Sequence, residues 1–398
     1  MIYQLFISIY QLLFKIASLC STKANDRIQG IKSNYFPPKK KRRIWLHCAS
    51  AGEYEQCIPL IQKIKKHTSA EVCISFFSPS GVEYYQLRPH ADFYFYLPFD
   101  TLSNARELIE SLQPDYVIWV KYDFWENIIQ ELYLQNIPCD LIFTDLQHIA
   151  NKPIWIKDRI FNLIPKFNHV YSITPIESPT LAHRIIHDGK WEQALLNTYQ
   201  DFTDQVVEHF IQNSKVILIG SAHTKDIQLL AALLKNNKFQ DIKWIVVPHQ
   251  IDRVVIEKYQ EKLHHADIYS EYNFAENNIL IVNQMGSLKY LYRFADIAWI
   301  GGGLDKSIHN ALEASAYKIP LVSGPKIQGM PEAKVLQDKN ILHTFKNSNE
   351  LEELLSTLLK QDKSALQKNI ERLYLQKSED NYSSLILSDI QRQLLTAD

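Results

Sequence analysis

The chain has 398 residues, of which 46% are hydrophobic and 22% charged, and a formal net charge of −1, which excludes a disordered or fibrous protein. That length exceeds what one hydrophobic core organises, so two domains of about 200 residues each are expected. Five cysteines without a CxxC pair leave one over in any disulfide scheme, which indicates a reducing compartment.

The first predicted element is a helix over MIYQLFISIYQLLFKIASLC, in which Gln4, Ser8, Gln11, Lys15 and Ser18 recur at steps of four, three, four and three. This polar stripe leaves the rest of the circumference to Ile, Leu, Phe and Tyr. Residues 1–43 carry nine Lys or Arg against one Asp, leaving −9 for the remainder, and Lys39, Lys40, Lys41, Arg42 and Arg43 form a run. A wide apolar face followed by a basic cluster suits an anionic membrane surface. No basic residue precedes the apolar run and no clear cleavage site follows it, which argues against a signal peptide. The polar stripe, with Lys15 in it, argues for lying in the interface over spanning it. A helix packed on its own protein is the alternative.

From Arg43 onward short β-rich runs (RIWLHC, EVCISFF, FYFYLP, YVIWV, DLIFT, HVYSIT) alternate with helical patterns. A second series follows from Lys215, with VILIGS, IVVPH, ILIVN, IAWIGG and PLVSG. Such alternation predicts parallel βαβ units and two Rossmann-like halves. The expected division is a membrane-associated segment 1–42, one domain over 43–200, and a second over 201–398. Residues 188–214 form the connection, and the end, 348–396, is helical without further strands.

The first strand leads into Ser50-Ala51-Gly52-Glu53, a turn too poor in glycine for pyrophosphate and carrying a negative charge where phosphate would sit. A carboxylate at a helix start is expected to be held ionised by the helix dipole and free N–H groups, ready to take a proton from a bound hydroxyl. A helix-capping role for Glu53 is the plain alternative. Cys48 beside it is expected to be a buried strand-end residue, not a nucleophile.

The second half contains WIGGGLDKSIHNALEASAYKIPLVSGP, Trp299 to Pro325. A strand is predicted to run through Gly301–Gly303 into a helix. Lys306 and the free N–H groups would hold phosphate there, and Asn310 and Glu313 would share a helix face toward a ribose diol. Two more strand ends hold Pro248, His249 and Arg253, candidates for phosphate or base contact, and Met285, Gly286 and Ser287, which offer an apolar wall and bare backbone. His223 in GSAHTKD is expected to be a capping or packing residue. The sequence has 14 His but neither HExxH nor a Cys/His cluster along the chain, so no metal is expected.

SAGEYEQ, FFSPSG, YLPFDT, VKYDFWENI, PHQIDR, MGSLKYLY and GGGLDKSIHNALEA, in this order and spacing, resemble the 3-deoxy-D-manno-octulosonic acid (Kdo) transferases, lipid A-specific enzymes of lipopolysaccharide synthesis. The resemblance implies the GT-B glycosyltransferase fold, two Rossmann-like domains facing a central cleft. It implies an acceptor domain first and a CMP-Kdo donor domain second, with inverting, metal-independent transfer to a lipid A precursor of the lipid IVA type. It makes Glu53 the base, and Asp123 (where the family usually has Glu) and Lys190 supports of the transition state. Pro248 and His249, Met285, Gly286 and Ser287, and Asn310, Ala311, Leu312 and Glu313 match donor-binding segments. It further implies the cytoplasmic face of the inner membrane, no nucleic-acid partner and no cofactor. The alternatives are another GT-B transferase, a sugar-nucleotide epimerase on the same fold, or a non-catalytic nucleotide-sugar-binding scaffold.

Overall fold

The computed structural model describes residues 2–175, 183–235, 238–274, 277–379 and 382–395. The predicted alternation becomes two seven-stranded sheets whose recorded strand pairs are all parallel. In the first, β1 (Arg43–Cys48), β2 (Glu71–Phe76), β3 (Phe93–Tyr96), β4 (Tyr116–Val120), β5 (Cys139–Thr144), β6 (His169–Ser172) and β7 (Arg184–Ile185) lie in the order β3-β2-β1-β4-β5-β6-β7. Helices cover both faces, which is why the central strands are continuous apolar runs: every residue of β1, β4 and β5 is buried. Ile44 and Leu46 pack with Tyr54, Ile58 and Ile61 of the helix Ala51–His67, while Trp45, Val117 and Trp119 pack with Leu108, Ile109 and Ile128 on the other side.

The second sheet contains β8 (Lys215–Ala222), β9 (Ile242–Pro248), β10 (Ala266–Ile268), β11 (Ile279–Ile281), β12 (Ile297–Ile300), β13 (Leu321–Ser323) and β14 (Leu342–Thr344), in the order β10-β11-β9-β8-β12-β13-β14. In each sheet the order turns about its first strand, between β1 and β4 and between β8 and β12. Ligands of open α/β sheets bind outside the carboxyl ends of the strands at such points.

The chain divides into one unit of Met1–Gln193 with Ser378–Asp398 and another of Ala194–Lys377. The expectation that the terminal helices all belong with the second half is therefore corrected. The last helix, Tyr382–Leu395, packs Tyr382, Ile386 and Ile390 into the first unit's core, and the Tyr382 hydroxyl donates to the Gln56 carbonyl at 2.5 Å. Spacing of four along a helix marks an apolar face but not which core receives it.

The amino-terminal helices Ile2–Ala17 and Thr22–Lys32 belong to the first unit. Ile7 is fully buried, and the rings of Tyr10 and Phe14 meet Phe99 at 6.1 and 5.5 Å between centroids. The Tyr3 hydroxyl donates to Asp100, and Gln4 of the polar stripe donates to Asn127 at 2.5 Å. Leu5, Phe6, Ile9, Leu12, Leu13 and Ile16 remain exposed. Among the described residues no single helix is long and apolar enough to cross a membrane; the two helices together pass that test only as a pair bent by 116°. The basic run is split by the fold. Arg43 is buried, bonding Glu71, Leu112 and Pro37, and Lys39 pairs with Asp115, so only Lys40 and Lys41 stand fully outward with their charge unshared by a recorded ion pair.

Candidate functional site

In the first unit the site is built at the ends of β1 and β4, which pair His47 with Trp119. Trp45 and His47 are two apart in a strand and so point to the same face, where the Trp45 indole N–H donates to Ser75 Oγ at 2.8 Å and His47 Nδ1 meets the same oxygen at 2.8 Å. The consistent assignment has the Ser75 hydroxyl donating to Nδ1, which leaves the His47 Nε2–H directed at Asp123 Oδ2, 3.4 Å away. The Trp125 indole N–H also donates to Asp123 Oδ2, at 3.2 Å.

Glu53 lies in the first turn of Ala51–His67 and accepts the Ala49 N–H at 2.5 Å. Burial raises the Glu53 carboxyl above its ordinary value and the charge of Asp123 adds to this; His47, Lys121 and the Ala49 N–H offset only part. The helix start therefore does not hold the Glu53 carboxyl below its ordinary value, because desolvation outweighs the dipole and the free N–H groups. For Asp123 burial also acts upward, but the hydrogen bonds of His47 and Trp125 and the charge of Arg27 outweigh it, and the carboxyl sits below its ordinary value. Two neighbouring carboxyls driven apart in this way form an acid/base pair in which the higher one can exchange a proton. Cys48 is buried, its thiol pushed up by burial, as expected of a strand-end packing residue.

Lys190 begins the helix Lys190–Thr198, and its N–H donates to Asp188 at 3.0 Å. A Cβ on the preceding Gly189 would fall 2.7 Å from the Gln56 carbonyl, so this loop lies directly on the helix that carries Glu53.

In the second unit Pro248 and His249 end β9, and Met285, Gly286 and Ser287 follow β11. Lys306, Asn310, Ala311, Leu312 and Glu313 follow β12, so all lie beyond the carboxyl edge of one sheet. Met285 is exposed, Gly286 has φ +74° and Ser287 is buried. Arg253 is placed apart, ion-paired with Glu257 at 2.7 Å on an exposed helix face.

Two local expectations are corrected here. The glycines do not open directly into a helix; residues 301–305 form turns, 307–311 are irregular, and the helix Leu312–Ser315 has only four residues. A Cβ on Gly301 would stand 2.4 Å from the Ser221 carbonyl oxygen, and one on Gly303 2.8 Å from that of Gly324, so these glycines serve close packing of the loop on neighbouring strands. Asn310 precedes the helix but still meets Glu313, by a direct bond from Nδ2 to Oε1 at 3.0 Å, while its Oδ1 accepts the Leu312 N–H at 3.0 Å.

The expectation of no histidine cluster is the other correction. His223, His249 and His309 come from segments far apart in sequence, yet their ligand atoms all lie within 4.8 Å of one another. Burial lowers all three below the ordinary imidazole value, His309 to about 4. His47 and Asp226 were also missed; the signal for His47 was a polar residue two beyond Trp45 in an otherwise apolar strand.

Two parallel Rossmann-like sheets, each with polar residues gathered at its carboxyl edge, define the GT-B fold class. Among solved structures the chain is similar to UDP-GlcNAc 2-epimerase from Neisseria meningitidis bound to UDP-GlcNAc (TM-score 0.60, 16% identity, 88% of this chain and 100% of that one). It is also similar to CalG4, the calicheamicin glycosyltransferase (TM-score 0.59, 11% identity, 89% and 99%). Residues 23–174 match the family model described as 3-deoxy-D-manno-octulosonic-acid transferase (kdotransferase). A 3-deoxy-D-manno-octulosonic acid transferase of Rickettsia prowazekii is 24% identical over 362 residues, 86% of this chain and 77% of the relative. These likenesses support the Kdo transferase family for this chain.

Proposed function

We propose that the chain transfers Kdo from CMP-Kdo to a lipid A precursor of the lipid IVA type, with inversion and with no metal in the transfer step, at the cytoplasmic face of the inner membrane. The observation that carries this reading is the split pair of Glu53 and Asp123 in a chain similar to Kdo transferases over most of its length. Glu53, raised by burial, is suited to take the proton of an acceptor hydroxyl as that oxygen bonds to the anomeric carbon of Kdo and the bond to the CMP phosphate breaks. A single displacement of this kind inverts the anomeric centre. Asp123 stays ionised beside His47, and Lys190 offsets charge building on the departing phosphate. On the donor side Glu313 is suited to accept from the ribose hydroxyls while Asn310 holds its carboxylate in place. Pro248, His249, Met285, Gly286, Ser287 and Lys306 supply the remaining nucleotide contacts. The exposed apolar face of Ile2–Ala17 supports a membrane surface as the place where a lipid acceptor is met.

The likeness to an epimerase is a likeness of fold alone and does not favour that activity. The test is incubation of the purified protein with CMP-Kdo and a tetraacylated lipid A precursor. Mass spectrometry should show the acceptor heavier by one or more Kdo units with matching CMP release. An unchanged acceptor, alongside turnover of a different nucleotide sugar, would overturn the reading.

A further inference from the structure

We propose that His223, His249 and His309 form a binding site for a divalent transition metal, zinc-like, held by three imidazole nitrogens with its remaining positions open to water or an anionic oxygen. The site lies wholly in the second unit, shares His249 with the nucleotide contacts proposed above, and does not rest on the transfer chemistry assigned to Glu53.

Topology makes the cluster. His223 follows β8, His249 follows β9, and His309 sits in the loop after β12; the order β9-β8-β12 makes these three strands neighbours. Parallel strands lie about 4.8 Å apart, so three successive βα loops deliver their side chains to one place. The rings stand nearly parallel, 4.8 Å between the centroids of His223 and His249 and 4.5 Å between those of His249 and His309.

The nitrogens already face one another. His223 Nε2 and His309 Nε2 are 2.8 Å apart, so without metal one ring must donate a proton to the other. Two Zn–N bonds of about 2.0–2.1 Å at a tetrahedral angle need a separation of about 3.3 Å. Loading the site therefore asks these rings to part by roughly half an ångström and releases the shared proton wherever the ligand nitrogen held it.

The backbone around the rings is fixed in advance. The buried Asp226 accepts the His223 N–H at 2.8 Å and the Gly302 N–H at 3.0 Å, tying the loop of His223 to the loop of His309. The His249 N–H donates to the Ala222 carbonyl at 3.0 Å, tying the third loop to the strand end before His223. Three imidazoles without a thiolate or carboxylate suit zinc, copper, nickel and cobalt over magnesium or calcium. Three protein ligands leave a position open, the arrangement of reactive zinc sites and not of closed structural ones.

The experiment uses the full chain, purified without a polyhistidine tag, stripped with chelator and titrated with Co²⁺ while visible absorption is recorded. One Co²⁺ per chain with ligand-field bands, displaced by equimolar Zn²⁺, is expected. His309→Asn and, on an exposed residue that folding does not depend on, His249→Asn should each weaken binding at least tenfold, whereas His67→Asn should leave it unchanged. Absence of saturable Co²⁺ binding, or equal binding by all three variants, would overturn the proposal. CMP-Kdo turnover is measured separately, so failure of one reading does not decide the other.

Discussion

Glu53 and Asp123 are both carboxyls desolvated at neighbouring strand ends, yet one rises and the other falls because only Asp123 receives hydrogen bonds from His47 and Trp125. If Glu53 is the base, Glu53→Gln should keep the fold and CMP binding but lower turnover by about 10²–10⁴-fold, measured as CMP release; near-normal turnover would remove the assignment. The pH profile tests the electrostatics separately. A base works deprotonated, so turnover should fall as pH drops through the raised Glu53 value. Lys121 is a cation that pulls this value down. Lys121→Met should therefore move the acid limb of kcat/KM to higher pH, and a limb that stays put or moves to lower pH would show that another group sets it. His47 escaped the sequence reading because a lone strand histidine has many ordinary explanations. Only the pairing of β1 with β4 and β2 shows that it bridges Ser75 and Asp123.

At the scale of elements, the long apolar strands were legible because parallel sheets bury both faces, and β1, β2, β4, β5, β8 and β9 fall where VILIGS-like runs put them. The strands β7, β10 and β14 were not, since two or three residues at a sheet edge carry no periodicity. The loop after β12 was legible in content and not in form. Its residues gather at the sheet's carboxyl edge, but three glycines after a strand predict the start of a helix, when Gly301 and Gly303 are needed for contact with Ser221 and Gly324. The consequence for binding is specific. Asn310 reaches Glu313 through a side-chain bond that does not depend on helical spacing, so the pair should act as a unit. Glu313→Ala should weaken CMP binding by about 1.5–3 kcal/mol, the usual worth of a hydrogen bond to a charged group. Asn310→Ala should act in the same direction, and the double variant should lose less than the sum. Unchanged affinity in calorimetry for both single variants would place the nucleotide elsewhere.

For the molecule as a whole, the amino-terminal helix carries two apolar faces with different partners. One, with Ile7, Tyr10 and Phe14, is committed to its own unit; the other, with Leu5, Phe6, Ile9, Leu12, Leu13 and Ile16, is exposed. Deleting the segment would confuse the two, because Tyr3 bonds the buried Asp100, and Arg27, itself buried, donates to the Phe77 and Leu97 carbonyls. Substituting the outer face isolates the membrane contribution. Burying a Leu side chain stabilises by about 1.5–3 kcal/mol, and a basic residue near an anionic surface adds about 1 kcal/mol, screened by salt. Leu5→Gln, Leu12→Gln and Leu13→Gln combined should therefore release most of the protein from vesicles containing anionic lipid, while thermal stability changes little because these side chains are already exposed. Lys40→Gln with Lys41→Gln should release less and should flatten the salt dependence of what remains bound. Activity on detergent-dispersed acceptor should survive the leucine changes better than activity on acceptor in bilayers, since the residues around Glu53 are untouched. Sedimentation of the triple variant with vesicles at the level of the unaltered protein would show that this face does not meet lipid, and the same assay with both acceptor forms separates loss of membrane contact from loss of catalysis.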